Sequence, residues 1–166
     1  MMSMKRALRI LLIEDSLSVQ KAILSILATD PKMTIDTVEN LRLALEKLSA
    51  YQYDVIVLDL QLPDANDLVS LKSLRASHPQ IAIVVLTGYG TPEVETEAME
   101  LGAQDFLEKP PEPARLINVI HKAAIRQEVM DEVIRKFQPI KEAQRVIGEA
   151  INKFEMVKKE PFEETP

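Results

Sequence analysis

Cysteine is absent from this 166-residue chain. Its absence excludes a disulfide framework, a thiolate zinc site and a dithiol redox motif together. The two histidines, His78 and His121, are far apart in sequence and show no ligand spacing. No apolar stretch approaches the ~20 residues needed to cross a bilayer, and residues 1–6 lead into a strand-like run without the apolar core of a signal peptide. The expectation is a cytoplasmic protein with no membrane contact. Positive charge is scarce as well: 20 Lys and Arg against 26 Asp and Glu leave a formal net charge of −6. Nucleic-acid binding depends on neutralising phosphates, so none is expected on this chain. The hydrophobic fraction of 46% is ordinary for a globular protein, and the length suits one domain with an appendage.

What is present is an alternation of two periods. Apolar, β-branched-rich runs lie at Leu8–Ile13, Met33–Val38, Val55–Leu58, residues 81–86 and, more briefly, residues 104–107. Between them the period becomes helical: Val19, Ile23, Ile26 and Leu27 share one face, and Leu41, Ala44, Leu45 and Leu48 another. Residues 68–74, 92–101 and 112–125 continue the pattern. Strands alternating with helices predict parallel βαβ units with right-handed crossovers, a doubly wound α/β fold with helices on both faces. The uninterrupted apolar runs fit strands covered on both sides. Ser16 and Asn40 are candidate helix caps, as is Thr91 ahead of Pro92, and Gly102 suits a left-handed helix end. The compact domain should cover residues 5–124.

After Ala124 no strand signal recurs, and residues 125–158 are expected to form a helical extension or linker. Ile140, Ala143, Ile147, Ala150, Phe154 and Val157 alternate three and four apart, which suits a dimer seam or a helix folded back on its own domain. Pro139 predicts a break at that point, dividing the region into residues 112–138 and 140–158. Residues 159–166 are expected to be a disordered tail.

Acids end two of the strand-like runs. Glu14-Asp15 follow Ile10-Leu11-Leu12-Ile13, and Asp59 follows Val55-Ile56-Val57-Leu58. In an open α/β sheet the ligand crevice lies beyond the carboxyl ends of the strands, where these acids would meet. Grouped carboxylates repel one another unless a cation sits among them. An all-oxygen donor set without His or Cys points to a hard ion, and few carboxylates in an open site suit Mg²⁺ better than a closed Ca²⁺ cage. Thr87 and Lys109 end two later runs and would face the same crevice. A hydroxyl, an ammonium and a metal around one carboxylate form a site for a phosphoryl group, with Asp59 as nucleophile.

These motifs resemble the receiver domains of two-component response regulators, the chemotaxis-regulator-like fold, over residues 8–124. Residues 10–15 (ILLIED) resemble the family's acidic pair, residues 54–64 (DVIVLDLQLPD) the phosphoacceptor strand and loop, residues 84–90 (VVLTGYG) the switch segment, and residues 102–110 (GAQDFLEKP) the lysine loop. The resemblance implies a five-stranded parallel sheet of flavodoxin-like order 2-1-3-4-5. It implies that Asp59 is phosphorylated, that Asp15 and Asp59 bind Mg²⁺ directly, that Glu14 acts through a water, and that the Gln61 backbone carbonyl completes the shell. Thr87 and Phe106 would be the switch pair, Lys109 the phosphate contact ahead of a cis proline, and Gln61 and Tyr89 modulators of the phosphorylated lifetime. The implied partner is a sensor histidine kinase or histidine phosphotransfer protein, and the output a changed surface on the fourth helix, fifth strand and fifth helix. A homodimer would form through that surface or through the C-terminal helices. One residue departs from the pattern: Asp67 stands where the family commonly has glycine. Phosphorylation and dephosphorylation would be self-catalysed, so no separate enzyme activity is expected.

Other readings remain open at this level. One is a receiver-fold module that docks or dimerises without phosphorylation, and another is the N-terminal part of a larger regulator. An aspartate-based phosphatase would need a second acid two residues after the nucleophile, where Gln61 stands.

Overall fold

The computed structural model describes residues 6–158; the tail expected to be disordered, 159–166, lies outside them. Two compact units divide the chain, one ending at Glu128 and the other beginning at Val129. In the first, strands β1 (Leu8–Ile13), β2 (Met33–Val38) and β3 (Val55–Leu58) alternate with helices α1 (Leu17–Leu27) and α2 (Leu41–Ala50). Next come two-residue strands β4 (Gln61–Leu62) and β5 (Ala65–Asn66), then α3 (Val69–Ser77), β6 (Ala82–Thr87), α4 (Pro92–Glu100), β7 (Asp105–Glu108) and α5 (Pro113–Lys158). The main sheet is parallel with order β2-β1-β3-β6-β7, so the expected 2-1-3-4-5 order holds once the small β4-β5 hairpin is set apart.

Alternation along the strands builds two cores. Leu11, Ile13, Ile56, Leu58, Ile83 and Val85 face Leu48 of α2, Leu71 and Leu74 of α3, and Ala98 of α4. Their neighbours Ile10, Leu12, Val55, Val57, Val84 and Leu86 face Ile23 and Leu27 of α1 and Leu116 and Ile120 of α5. Burial on both faces is why these strands lack polar alternation.

Local chemistry fixes the helix ends. The Asn40 side chain accepts from Leu43 N at 2.9 Å, Thr91 caps α4 from in front of Pro92, and Ser16 caps α1. Gly102, at φ 93, follows α4 in the left-handed region, as expected. Helix bounds otherwise differ from the sequence expectation by a few residues.

The expected division at Pro139 does not occur: α5 is one helix through Pro139. Proline removes the donor that the Arg135 carbonyl would accept from, yet both residues are exposed, and water can satisfy that carbonyl. The interruption is therefore local.

Candidate functional site

Register brings the acids together. Ile13 pairs with Leu58, so Glu14 and Asp59, each one step further, leave adjacent strands at the same level. Asp59 N donates to Ile13 O at 3.0 Å and Glu14 N to Val38 O at 3.0 Å, fixing both backbones at the sheet's carboxyl edge. One carboxylate oxygen each from Glu14, Asp15 and Asp59 lie within 4.8 Å of one another. Glu14 and Asp59 are buried at 2% and 4% exposure, whereas Asp15 is exposed and keeps the cluster open to solvent. Oxygen donors alone, close together and with one open side, fit a hard divalent cation that retains waters.

Lys109 already lies among these acids. Its Nζ donates to Asp59 Oδ2 at 2.8 Å and to Glu14 Oε2. Lys109 N donates to Thr87 O at 3.0 Å, which fixes the backbone at this position, and the Lys109–Pro110 bond is cis, as expected. Burial works against the ammonium, but its bonds to Asp59 and Glu14 prevail and raise the Lys109 pKa above its ordinary value. Burial also pushes the Glu14 carboxyl up, aided by Asp59 and opposed by Lys109 and by Ser16 N–H. Two buried carboxylates thus share one ammonium.

Thr87 ends β6, the strand beside β3, and is buried, with its Oγ1 accepting from Tyr89 N at 3.5 Å. Phe106 on β7 is buried as well. A Cβ at position 90 would meet Phe106 Cε1 at 2.7 Å, so glycine there is what lets the ring pack beneath the loop after Thr87. At Gly88 a Cβ would meet nothing within 4 Å, which leaves the loop open beside Thr87. Tyr89 is 75% exposed.

The loop after Asp59 is tied at three points. Gln61 N donates to Asp59 Oδ1 at 3.2 Å, and Gln61 Nε2 to Asp67 Oδ1 at 3.3 Å. Asp67, the departure from the family pattern, takes a left-handed backbone with φ 53. Such strain is smallest for Asn and Asp among residues with a Cβ, which is how the loop survives without glycine. Asp64 reaches α2, accepting from Leu41 N at 2.9 Å and Arg42 N at 3.0 Å. Burial opposes this charge, but the two amides prevail and hold its carboxyl below the ordinary value.

Two contributions escaped the sequence reading. Gln20 is buried on α1 and donates to Glu14 O at 2.5 Å, bracing the acidic pair. Its signal was a polar residue beside the apolar face of Val19 and Ile23. The clamp by Asp64 had no such signal, because its partner helix lies earlier in the chain.

Comparison with known proteins agrees with this geometry. The family model described as the response regulator receiver domain matches residues 10–121. The luminescence regulatory protein LuxO of Vibrio campbellii is 38% identical over 112 residues, covering 68% of this chain and 24% of that protein. A protein-glutamate methylesterase/protein-glutamine glutaminase of Geobacillus kaustophilus is 34% identical over 114 residues, covering 67% of this chain and 32% of the other. This chain thus spans about a quarter to a third of the length of these relatives. Among solved structures, the signal receiver domain of a putative Luxo repressor protein from Vibrio parahaemolyticus superposes with TM-score 0.71 at 28% identity, covering 76% of this chain and 97% of that one. The chain belongs to the response regulator receiver domain family of two-component signalling.

Proposed function

We propose that Asp59 accepts a phosphoryl group from the phosphohistidine of a sensor histidine kinase or histidine phosphotransfer protein in a magnesium-dependent reaction. The bound group then shifts the surface formed by α4, β7 and the first part of α5. The observation that carries this reading is the setting of Asp59: buried, grouped with Glu14 and Asp15, and 2.8 Å from Lys109 Nζ. Receiver domains bind Mg²⁺ at an acidic pocket and interact with histidine kinases or phosphotransfer proteins, and this cluster is such a pocket.

Asp15 and Asp59 would hold the ion directly, Glu14 through a water, and Gln61 through its backbone carbonyl. When bound, Mg²⁺ supplies charge neutralisation and orientation for the transferring oxygens. An Asp59 carboxylate oxygen attacks phosphorus in line, the bond from phosphorus to histidine nitrogen breaks, and the imidazole nitrogen leaves with the electron pair. Lys109 turns from the Asp59 carboxylate to a phosphoryl oxygen, a charge-assisted bond that replaces the one it gives up. The Thr87 hydroxyl leaves Tyr89 N for another phosphoryl oxygen, and Phe106 moves into the space vacated. Water then attacks phosphorus, the bond to Asp59 breaks, and inorganic phosphate departs. Gln61 and Tyr89 flank that water's approach and set the lifetime of the phosphorylated form.

Incubation with acetyl phosphate and Mg²⁺, read by intact mass, tests the chemistry. The wild-type chain should gain one phosphoryl group, and chelation or Asp59→Asn should abolish the gain. Uptake by Asp59→Asn at an undiminished rate would sink the proposal.

A further inference from the structure

The three clustered acids are held unequally. The Glu14 carboxylate accepts from Lys109 Nζ and from Ser16 N at 3.0 Å, and the Asp59 carboxylate from Lys109 Nζ at 2.8 Å and Gln61 N at 3.2 Å. Asp15 has no such support. Among the described residues its carboxylate has neither a hydrogen-bond nor an ion-pair partner, and the residue is exposed. Its aim is therefore inherited from the backbone. Aspartate has only two side-chain torsions, so the orientation of the peptide group joining Glu14 to Asp15 decides most of where the carboxylate can reach.

That peptide is held from the side of α1. Gln20 is buried at 8% exposure, and its Nε2 donates to Glu14 O at 2.5 Å. A carbonyl oxygen only accepts, so the nitrogen end of the amide must face it. The same turn is closed a second time through Ser16, which caps α1: Gln20 N donates to Ser16 O at 2.9 Å, while Ser16 N donates to Glu14 Oε1. On its other side Glu14 N is tied to Val38 O. The Glu14 backbone is thus fixed between β2 and α1. Filling the core at this place needs only an apolar side chain, such as Ile23 and Leu27 supply on the same helix. A buried amide is desolvated at a cost that a single hydrogen bond does little more than offset.

We propose that Gln20 is a positioning residue for divalent-cation binding, fixing the Glu14–Asp15 peptide so that the unsupported Asp15 carboxylate faces the cation. Gln20 touches no reacting atom, so its loss should weaken the grip on the ion and leave the chemistry at saturation intact. The inference rests on the reading of this cluster as a Mg²⁺ site. The rigidity of the peptide can be measured without the ion.

Titration of the full chain with MgCl₂, followed by amide chemical shifts, gives the dissociation constant. Gln20→Met, close in volume but without a donor, should raise it about 10-fold or more, the usual range for losing a group that orients a metal ligand. With acetyl phosphate, Gln20→Met should need correspondingly more Mg²⁺ for half-maximal rate, while the rate at saturating Mg²⁺ stays within about twofold of wild type. Ile23→Val lowers stability on the same helix without touching the turn, so it should leave the dissociation constant unchanged. In the metal-free wild type the Asp15 and Ser16 amides should be as rigid as the sheet, with order parameters of about 0.85, a readout that needs no variant to fold. Failure of the wild type to bind Mg²⁺ overturns the metal-site reading and this inference together. Equal affinities in wild type and Gln20→Met, an equal loss in Ile23→Val, or a mobile Asp15 amide in the wild type overturns this inference alone.

Discussion

On the side of the sheet where Arg6, Arg9 and Tyr53 lie, Asp54 and Asp36 each have their own donors; at the carboxyl ends, three acids gather and two of them, Glu14 and Asp59, share one ammonium. At the amino side Asp54 accepts from Arg6 at 2.5 and 2.9 Å and from Arg9 N at 2.8 Å. Asp36 accepts from the Tyr53 hydroxyl at 2.6 Å and from Arg9 at 3.1 Å, and the Arg9 guanidinium lies 4.8 and 4.9 Å from the ring centres of Tyr51 and Tyr53. The Tyr53 hydroxyl, with Arg9, outweighs burial and holds the Asp36 carboxyl below its ordinary value. At the carboxyl side burial pushes Glu14 up despite Lys109. The same residue types stabilise one end and are held against repulsion at the other, and a site held that way has free energy for an incoming cation to release.

The largest effect should come from removing the shared ammonium. Lys109→Ala leaves Glu14 and Asp59 buried without a counter-ion, a change that typically costs about 3–5 kcal/mol. Urea unfolding at neutral pH should show that loss, and added Mg²⁺ should restore much of it. Because the folded Lys109 pKa is raised, its stabilisation is complete below its unfolded value near 10.5 and fades as pH rises through the folded value. The variant should lack that alkaline decline. An unchanged urea midpoint would mean that Lys109 is not what holds the cluster together.

One kind of substitution should act with opposite sign at the two ends. Glu14 has a raised folded pKa, so its contribution is present below the unfolded value near 4.5 and lost as pH rises through the folded one. At neutral pH its charge costs stability. Glu14→Gln should therefore raise the melting temperature while leaving Lys109 and Asp59 as a one-to-one pair. Asp54→Asn should lower stability by about 1–2 kcal/mol, since it weakens two bonds to Arg6 and one to Arg9 N. Melting curves that move in the same direction would erase the contrast.

The carboxyl end was legible in the sequence and the amino end was not. Strands buried on both faces are written as unbroken apolar runs, and the acids that end them stand beside those runs. Register alone then brings Glu14 and Asp59 together. Arg6 and Asp54 are 48 residues apart and Arg9 and Asp36 are 27 apart, with no periodic pattern linking them. The β4-β5 hairpin escaped for a related reason, since two-residue strands are too short to carry a period. Lys109 was expected as a phosphate ligand, and its pairing with both acids emerges only when the loop is in place. Pro139 misled because its cost was weighed for a helix interior in general, whereas here the freed carbonyl faces water.

The smallest effect should come from a single hydroxyl at the amino end. Tyr53→Phe removes the donor to Asp36 but keeps the ring against Arg9, so it separates the hydrogen bond from the stacking. The cost should be about 1 kcal/mol, the usual net value of one such bond. Burial, then the bond to Asp36, pushes the Tyr53 pKa up to about 12. A raised folded pKa means that this stabilisation is full below the unfolded value of 10.0 and is lost as pH rises through about 12. Tyrosinate absorbance of the three tyrosines should therefore include a component near 12 that Tyr53→Phe removes. If that component persists in the variant, the proton near 12 belongs elsewhere and the amino-end network is looser than its distances suggest.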